Sequence, residues 1–365
     1  MLPEEELKRT ARQMTLIGPH AQETLHNARV LVIGAGGLGC PVMQSLAATG
    51  IGHVEVWDDD TVALSNIHRQ ILFGADDVGR KKVEVAAERL RALQPGIDIT
   101  TVHDRLTERN ILAALRGVDV LIDGSDTFAT KFLAADAAEI TGTPLVWGSV
   151  LRTRGDIAVW WSGPGAPENG AGLRDLYPAQ PDPDSVPDCA TAGVLGVTTS
   201  VVGSLMATEV VKFLLGRGEI GRLHTYDAFA ATIRQFTVRR DPARPLATEL
   251  STYAAACSAN RSANSTGHLL IDALSNHRAT ALDVRETHER AICDLPFPSI
   301  HLPLSEEDRA EEVLRSLGAG DVVVYCASGR RSQGFVDKHA ALAETLGITL
   351  RSLPGGANEW GITKA

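Results

Sequence analysis

The apolar positions of this chain change spacing in a repeating order, short β-branched runs alternating with longer stretches of helical periodicity. Arg29-Val30-Leu31-Val32-Ile33 opens with such a run at 30–33, a glycine cluster follows, and residues 40–49 read as a helix. Val54-Glu55-Val56-Trp57 predicts a second strand, 81–94 a helix, Ile97 to Val102 a strand, 108–116 a helix and Val118 to Asp123 a buried strand. Ahead of the first strand, residues 4–28 mix charged and apolar positions as a helix does. Strand alternating with helix predicts an α/β fold built on a doubly wound, mostly parallel sheet. Residues 143–161, 223–227 and 233–239 predict further strands. Gly193 to Leu215 is the most apolar long stretch, but Glu209 and Lys212 inside it mark a buried helix and not a membrane span.

The pattern breaks at 241–267, where Ala, Ser, Asn and Pro dominate as in linkers. The expected organisation is therefore one domain over 1–240, a linker over 241–267 and a second domain over 268–365. In the second domain, Thr280 to Asp283 and Asp321 to Tyr325 read as strands, and the latter meets Cys326 and a helix start.

Composition narrows this picture in three ways. With 44% hydrophobic and 22% charged residues in 365, the chain has the balance of a soluble globular protein of roughly two domains. A formal net charge of −10 argues against nonspecific binding to nucleic acid or to anionic membranes. Met1-Leu2-Pro3-Glu4-Glu5-Glu6 is acidic and unlike a signal peptide, and Cys40, Cys189, Cys257, Cys293 and Cys326 form no C-x-x-C pair. Both point to a reduced, cytoplasmic setting with individual thiol chemistry in place of a disulfide framework.

Candidate chemistry gathers at the strand ends. Gly34, Gly36 and Gly39, with Gly37 between them, spell G-x-G-x-x-G in a strand–turn–helix context, where backbone N–H groups can approach a phosphate. Asp58, about 20 residues on, can accept hydrogen bonds from ribose hydroxyls. Alone, these features suit an NAD-dependent oxidoreductase. Ser65, Asn66, Arg69 and Lys82 follow at once, and a nicotinamide site has no need of such cations. A site that cleaves a triphosphate does, because charge develops on the phosphoryl oxygens and on the departing pyrophosphate. Asp126 follows the acid-tipped strand ending at Asp123 and is suited to hold Mg²⁺ beside a triphosphate. A Gly/Pro-rich stretch, 162–187, reads as a loop crossing this site. Cys189 beyond it is either a small buried residue or a nucleophile entering a helix whose dipole favours thiolate. Cys326, at a strand–helix turn with Arg330 and Arg331, is placed to be held as thiolate or persulfide.

GAGGLG at 34–39, D-x-D-x-V-x-x-S-N-x-x-R-Q at 58–70 and G-x-x-K at 79–82 resemble the bacterial ubiquitin-activating-like adenylyltransferases, the ThiF and molybdopterin-synthase adenylyltransferase family. That resemblance implies a Rossmann-like ATP-binding domain that uses Mg²⁺. The nucleotide would meet Gly34, Gly36, Gly37, Gly39, Asp58, Ser65, Asn66, Arg69, Lys82, Asp126 and Thr127. Arg9-Thr10-Ala11-Arg12-Gln13 stands for the family's R-Y-x-R-Q, which implies that Arg12 serves the ATP of the other subunit of a homodimer. The family's D-x-x-D-N-F-x-x-R reads Asp123 to Lys131 here, with Thr127 for Asn and Lys131 for Arg. Cys189 takes the position of a cysteine that in many relatives meets the activated acyl group.

Many relatives also hold a structural zinc with two C-x-x-C pairs. Gly172 and Asp175 replace one pair and Arg244 and Ala247 the other, so no zinc is expected, as in the zinc-free actinobacterial subgroup often called MoeZ-type. The C-terminal domain resembles rhodanese: C-x-x-G-x-R-S from Cys326 through Arg331 to Ser332, and G-G-x-x-x-W at 355–360. By that resemblance Cys326 carries the persulfide.

Together these resemblances imply an enzyme that adenylates the C-terminal Gly-Gly carboxylate of a small ubiquitin-like sulfur carrier. Sulfur from thiosulfate or a cysteine desulfurase then reaches the carrier through Cys326 as a thiocarboxylate. A nonenzymatic carrier-binding scaffold, tolerant of Thr127, and an NAD-dependent oxidoreductase are the alternatives.

Overall fold

A computed structural model describes residues 2–181, 193–253, 260–290 and 293–363. The chain forms two compact units, 1–255 and 256–365.

The first unit begins with two helices, α1 (Glu4–Ile17) and α2 (Pro19–Asn27), where one helix over 4–28 was expected. The break is local: Gly18 takes a φ of 83°, and Pro19 starts the second helix without needing an N–H partner. An eight-stranded sheet follows in the order β3-β2-β1-β4-β5-β6-β7-β8. Its strands are β1 (Arg29–Ile33), β2 (His53–Trp57), β3 (Asp98–Val102), β4 (Val120–Asp123), β5 (Leu145–Leu151), β6 (Arg154–Trp160), β7 (Arg222–Asp227) and β8 (Thr232–Thr237). From β3 to β5 neighbouring strands are parallel, and from β5 to β8 they are antiparallel. The strands expected within 143–161 are the two arms of a hairpin, turned at Arg152 with a φ of 57°.

Strand β1 shows why the middle of the sheet reads as continuous apolar sequence. Val30 and Val32 point into one core cluster with Met43, Leu46 and Val202. Leu31 and Ile33 point into the other, with Leu121, Phe132 and Trp147. Helices α3 (Gly39–Thr49) and α4 (Lys82–Leu93) supply the first layer, and α5 (Ile111–Ala114) and α6 (Phe128–Thr141) the second. After the short α7 (Leu173–Leu176), α8 (Gly196–Leu214) is long and apolar enough to cross a membrane by length and composition. Here it is a core helix. A Cβ on Gly203 would stand 2.8 Å from Leu38 O, so α8 lies hard against α3. Lys212 Nζ donates to Glu209 Oε1 at 2.7 Å within the same helix.

The order of strands sets the site. The chain leaves β1 toward β2 and β3, then returns to place β4 on the other flank of β1. Ile33 pairs with Trp57 on one side and Asp123 on the other. The loops that follow all three strands therefore emerge side by side at the switch point, the usual ligand crevice of such sheets.

The second unit opens with α9 (Asn260–Ser275) and forms a four-stranded parallel sheet, β11-β9-β12-β13, with β9 at Ala279–Asp283, β11 at Ser299–His301, β12 at Gly320–Tyr325 and β13 at Ile348–Ser352, while the short β10 (Cys293–Asp294) stands outside it. Its helices include α10 (Thr287–Arg290), α11 (Ala310–Leu317), α12 (Arg330–Thr345) and α13 (Gly356–Trp360). Central β12 repeats the two-sided burial of β1: Val322 and Val324 enter one cluster, Val323 and Tyr325 the other. Of the span 241–267, Leu250 and Tyr253 pack on the first unit, whereas residues 260–267 open α9 of the second.

Candidate functional site

Glycine is structurally required in the loop after β1. Gly34 has a φ of 88°, and a Cβ on Gly39 would fall 1.8 Å from Gly34 O. Gly124, after β4, is also tightly placed, though less so: its Cβ would meet Gly39 N and Ile33 O at 3.0 Å. The glycine loop and the β4 loop are thus in backbone contact. Asp58 braces them from the β2 side. Its Oδ2 accepts the Ala35 N–H at 2.8 Å and its Oδ1 the Asp60 N–H at 2.9 Å. Burial pushes this carboxyl up, against the opposing pull of Lys82 and the two N–H groups. A carboxylate has about four lone-pair sites, so Asp58 can still accept from ribose hydroxyls.

Lys82 is buried beside this brace, and its Nζ lies 2.8 Å from Asp60 Oδ2, the exposed member of the pair. Arg69 crosses the loop itself: its Cγ stands 3.5 Å from where a Cβ on Gly37 would be. Its Nη1 donates to Ser65 O at 3.0 Å and lies 2.8 Å from His68 Nε2. Burial first, and then the Arg69 charge, hold the His68 pKa down, so the neutral ring accepts. Asn66 turns inward to its own segment, its Oδ1 accepting the Ala63 N–H at 3.2 Å.

After β4, Asp123 and Asp126 differ sharply. Asp123 is fully buried, and its Oδ1 accepts the Ser125 N–H at 2.9 Å. Lys131 Nζ donates to Asp123 Oδ2 at 3.1 Å and to Gly148 O at 2.6 Å. Asp126 is exposed at the tip of the turn and makes neither ion pair nor side-chain hydrogen bond among the described residues. Thr127 caps α6, its Oγ1 accepting the Thr130 N–H at 3.2 Å.

Arg12 is not brought to this loop. Arg9 Nη1 donates to Ala48 O at 2.6 Å and Gln13 Nε2 to Thr49 O at 2.8 Å, which seats α1 at the C-terminal end of α3. The glycine loop lies at the other end of α3, roughly 16 Å away at the helical rise per residue. Arg12 is exposed and unpaired among the described residues. Cys189 lies outside the described residues.

The second unit holds the other candidate. Cys326, directly after β12, is fully buried. Its Sγ accepts the Gly329 N–H at 3.2 Å and lies 3.6 Å from Ser332 Oγ. Gly329, with a φ of 93°, is the N-cap of α12. Arg331 Nη1 donates to Glu289 Oε2 at 2.8 Å. That bond, more than the nearby Cys326 sulfur, raises the Arg331 pKa, and Arg331 Nε is buried without an acceptor in hydrogen-bond geometry among the described residues. The Gly355-Gly356 pair packs on the same turn: a Cβ on Gly356 would fall 2.2 Å from Cys326 O. Cys40 is the contrasting thiol, buried in the first unit and pushed up to about 12 by that burial.

Four residues at these sites were given no role by the motif reading. Gln70 is buried beside Gly36 with its Oε1 unpaired among the described residues. It follows Arg69 directly, which was the available signal. Asp60, also inside the 58–70 motif, Lys131 and Glu289 meet partners 22, 8 and 42 positions away, and nothing in the motifs named those partners.

Residues 10–246 match the ThiF family and residues 266–363 the rhodanese-like domain. The chain is 39% identical to the probable adenylyltransferase/sulfurtransferase MoeZ of Mycobacterium tuberculosis, over 91% of this chain and 87% of that protein. It is 48% identical to the sulfur carrier protein adenylyltransferase of Thermus thermophilus, over 66% of this chain and 91% of the relative. Among solved structures, E. coli MccB shares the fold at a TM-score of 0.58 and 19% identity, over 70% of this chain and 76% of MccB.

Proposed function

Because the chain belongs to the ThiF family and ends in a rhodanese-like domain, it is an adenylyltransferase/sulfurtransferase enzyme, and we propose that it activates the Gly-Gly carboxylate of a small ubiquitin-like sulfur carrier and loads it with sulfur. A carboxylate is a poor electrophile until its oxygen is esterified to a good leaving group. In the first step a carrier carboxylate oxygen attacks the α-phosphorus of ATP, and the bond to pyrophosphate breaks. The N–H groups of Gly34, Gly36, Gly37 and Gly39 would cradle phosphate, with Arg69 and Lys82 offsetting the charge that develops on it. Asp58 would hold the ribose, with Ser65 and Asn66 shaping the pocket wall. Asp126 would hold Mg²⁺ together with the phosphates, supplying further charge neutralisation. Arg12 would reach the triphosphate of a partner subunit in a homodimer, a reading supported by its seat at the far end of α3.

In the second step the outer sulfur of a Cys326 persulfide attacks the acyl carbon, and AMP leaves with the bonding pair. Persulfides are largely ionised at neutral pH, and the N–H of Gly329 and the charge of Arg331 favour the anion. The product is an acyl disulfide on Cys326. Attack by the Cys189 thiolate on the Cys326 sulfur would release the carrier as a thiocarboxylate and leave a disulfide for a dithiol to reduce. Thiosulfate or a cysteine desulfurase would recharge Cys326.

The observation that carries this reading is the pairing, in one chain, of a cation-lined glycine loop with a cysteine sulfur held at a helix N-terminus. ATP–pyrophosphate exchange measured against a panel of Gly-Gly-ended carrier proteins tests it. Carrier-dependent exchange is expected, and exchange with none of the carriers sinks the proposal.

A further inference from the structure

The four positions that hold zinc-binding thiols in many relatives come together here without a ligand set. Gly172 and Ala247 offer no donor side chain, Asp175 offers one carboxylate, and Arg244 puts a cation against Asp175, 3.2 Å from where a Cβ on Gly172 would be. A zinc ion does not fit that set. We propose that the Arg244 guanidinium replaces the metal, acting as a buried ionic cross-link that ties the same chain segments together.

The geometry is that of a fully satisfied cluster. Arg244 Nε donates to Asp175 Oδ1 at 2.8 Å, and its Nη2 to Asp175 Oδ2 at 3.0 Å. Its Nη1 donates to Glu139 Oε2 at 3.0 Å, and Nη2 also to Glu139 Oε1 at 2.8 Å. The remaining acceptor capacity of the two acids is taken by the chain that zinc would have gathered. Asp175 accepts the Gly172 N–H at 2.8 Å and the Asp241 N–H at 3.1 Å, and Glu139 accepts the Ala247 N–H at 2.7 Å. All three side chains are at most 10% exposed. Buried ion pairs stabilise when geometry and remaining hydrogen bonds are complete, and removing one partner is then strongly destabilising.

The cross-link binds segment 172–175 to segment 241–247, and Glu139 adds α6 to the knot. One turn earlier on α6 the device recurs: Arg174 Nε and Nη2 clasp Asp136 at 2.6 and 2.7 Å, and Tyr253 Oη donates to Asp136 at 2.6 Å. Burial raises the Glu139 carboxyl, but Arg244, the Ala247 N–H and Ser162 outweigh it and hold it below its ordinary range, as an ionised partner requires.

The test uses the full chain, expressed with added zinc. The purified protein should hold far less than one zinc per chain, and a chelator should leave its Tm unchanged. Arg244→Met should lower the Tm of the first unit by roughly 10 °C. If that variant does not fold, Arg244→Lys, which keeps the charge and loses the fork, should still lower it by roughly 5 °C. The combined variant G172C/D175C/R244C/A247C should bind zinc and recover thermal stability only while zinc is present. Stoichiometric, tightly held zinc in the unaltered protein, a chelator-sensitive Tm, or an Arg244→Lys protein as stable as the original would overturn the proposal.

Discussion

After β1, the turn at 34–39 stays open. Its glycines present backbone, and the charged groups around it arrive from two other connections, Arg69 and Lys82 after β2 and Asp126 after β4. After β12, the turn at 326–329 closes around one atom: the sulfur, its N–H donor and the nearby cation all lie within six residues of Cys326. Both are strand–turn–helix junctions, and both exploit a helix N-terminus. They differ in what they must hold. A triphosphate is large, so its charge has to be met from several strand ends at once. A persulfide adds only one sulfur, roughly 2 Å beyond Sγ, so a single turn suffices. The open site should therefore lose function in parts, and the closed one all at once.

The sharpest break of this comparison is Cys326→Ala. It should abolish thiosulfate sulfurtransfer and thiocarboxylate formation outright, and leave carrier-dependent pyrophosphate exchange within about twofold. A large fall in exchange in the folded variant would mean that the two sites are not chemically separable. Asp126→Ala should do the reverse. Losing several kcal/mol of charge stabilisation corresponds to roughly 10³-fold in exchange. Near-normal exchange in that protein removes Asp126 from the metal-linked role. Mixing Arg12→Ala with Asp126→Ala subunits should restore part of the activity, because one of the two sites in a hybrid dimer keeps both residues. No recovery on mixing, with hybrid dimers demonstrated, argues against action in trans.

A smaller effect is expected at the rim of the closed site. Burial raises the Glu289 carboxyl, but its bonds with Arg331 and the Glu286 N–H outweigh this and hold it below its ordinary value. A depressed folded pKa stabilises the protein above the unfolded value, and the contribution fades as pH falls through the folded one. The second unit should thus have a flat Tm above about pH 5 and lose stability in acid. Glu289→Gln should flatten that acid limb and slow sulfurtransfer roughly tenfold by freeing Arg331 from its clamp. An unchanged acid limb would show that the pair contributes nothing to stability.

The same contrast explains what the sequence disclosed. Gly34 to Gly39 and Cys326 to Ser332 are legible because each is one unbroken stretch whose neighbours in sequence are its neighbours in space. The doubly wound sheet was legible from alternating periodicity, and its antiparallel half was not, because a strand's direction leaves no mark on apolar spacing. What stayed hidden is every pairing made across distance. Asp58 reads as a ribose acceptor, yet it first braces Ala35. Lys131 reads only as a lysine where the family has arginine, yet it is buried on Asp123. Arg244 sits in a stretch with the composition of a linker, yet it meets an acid 105 positions earlier. The break at Gly18 was hidden for the opposite reason, since one glycine inside a helical pattern is usually tolerated.

The smallest expected effect separates the two helix starts. The N-cap of α12 is Gly329, which has no side chain and gives its N–H to sulfur. The N-cap of α6 is Thr127, and its hydroxyl is already spent on the Thr130 N–H. That bond gives a physical reason for threonine where the family pattern has asparagine, because both residues cap helices well. Thr127→Asn should therefore change neither Tm nor exchange by more than about twofold in rate. Thr127→Ala should cost about 1 kcal/mol, a Tm loss of roughly 2–4 °C, and slow exchange about threefold through a looser Asp126 turn. If Thr127→Ala instead slows exchange 100-fold or more at unchanged Tm, the hydroxyl touches the nucleotide directly, and the open site uses its helix cap for chemistry just as the closed one does.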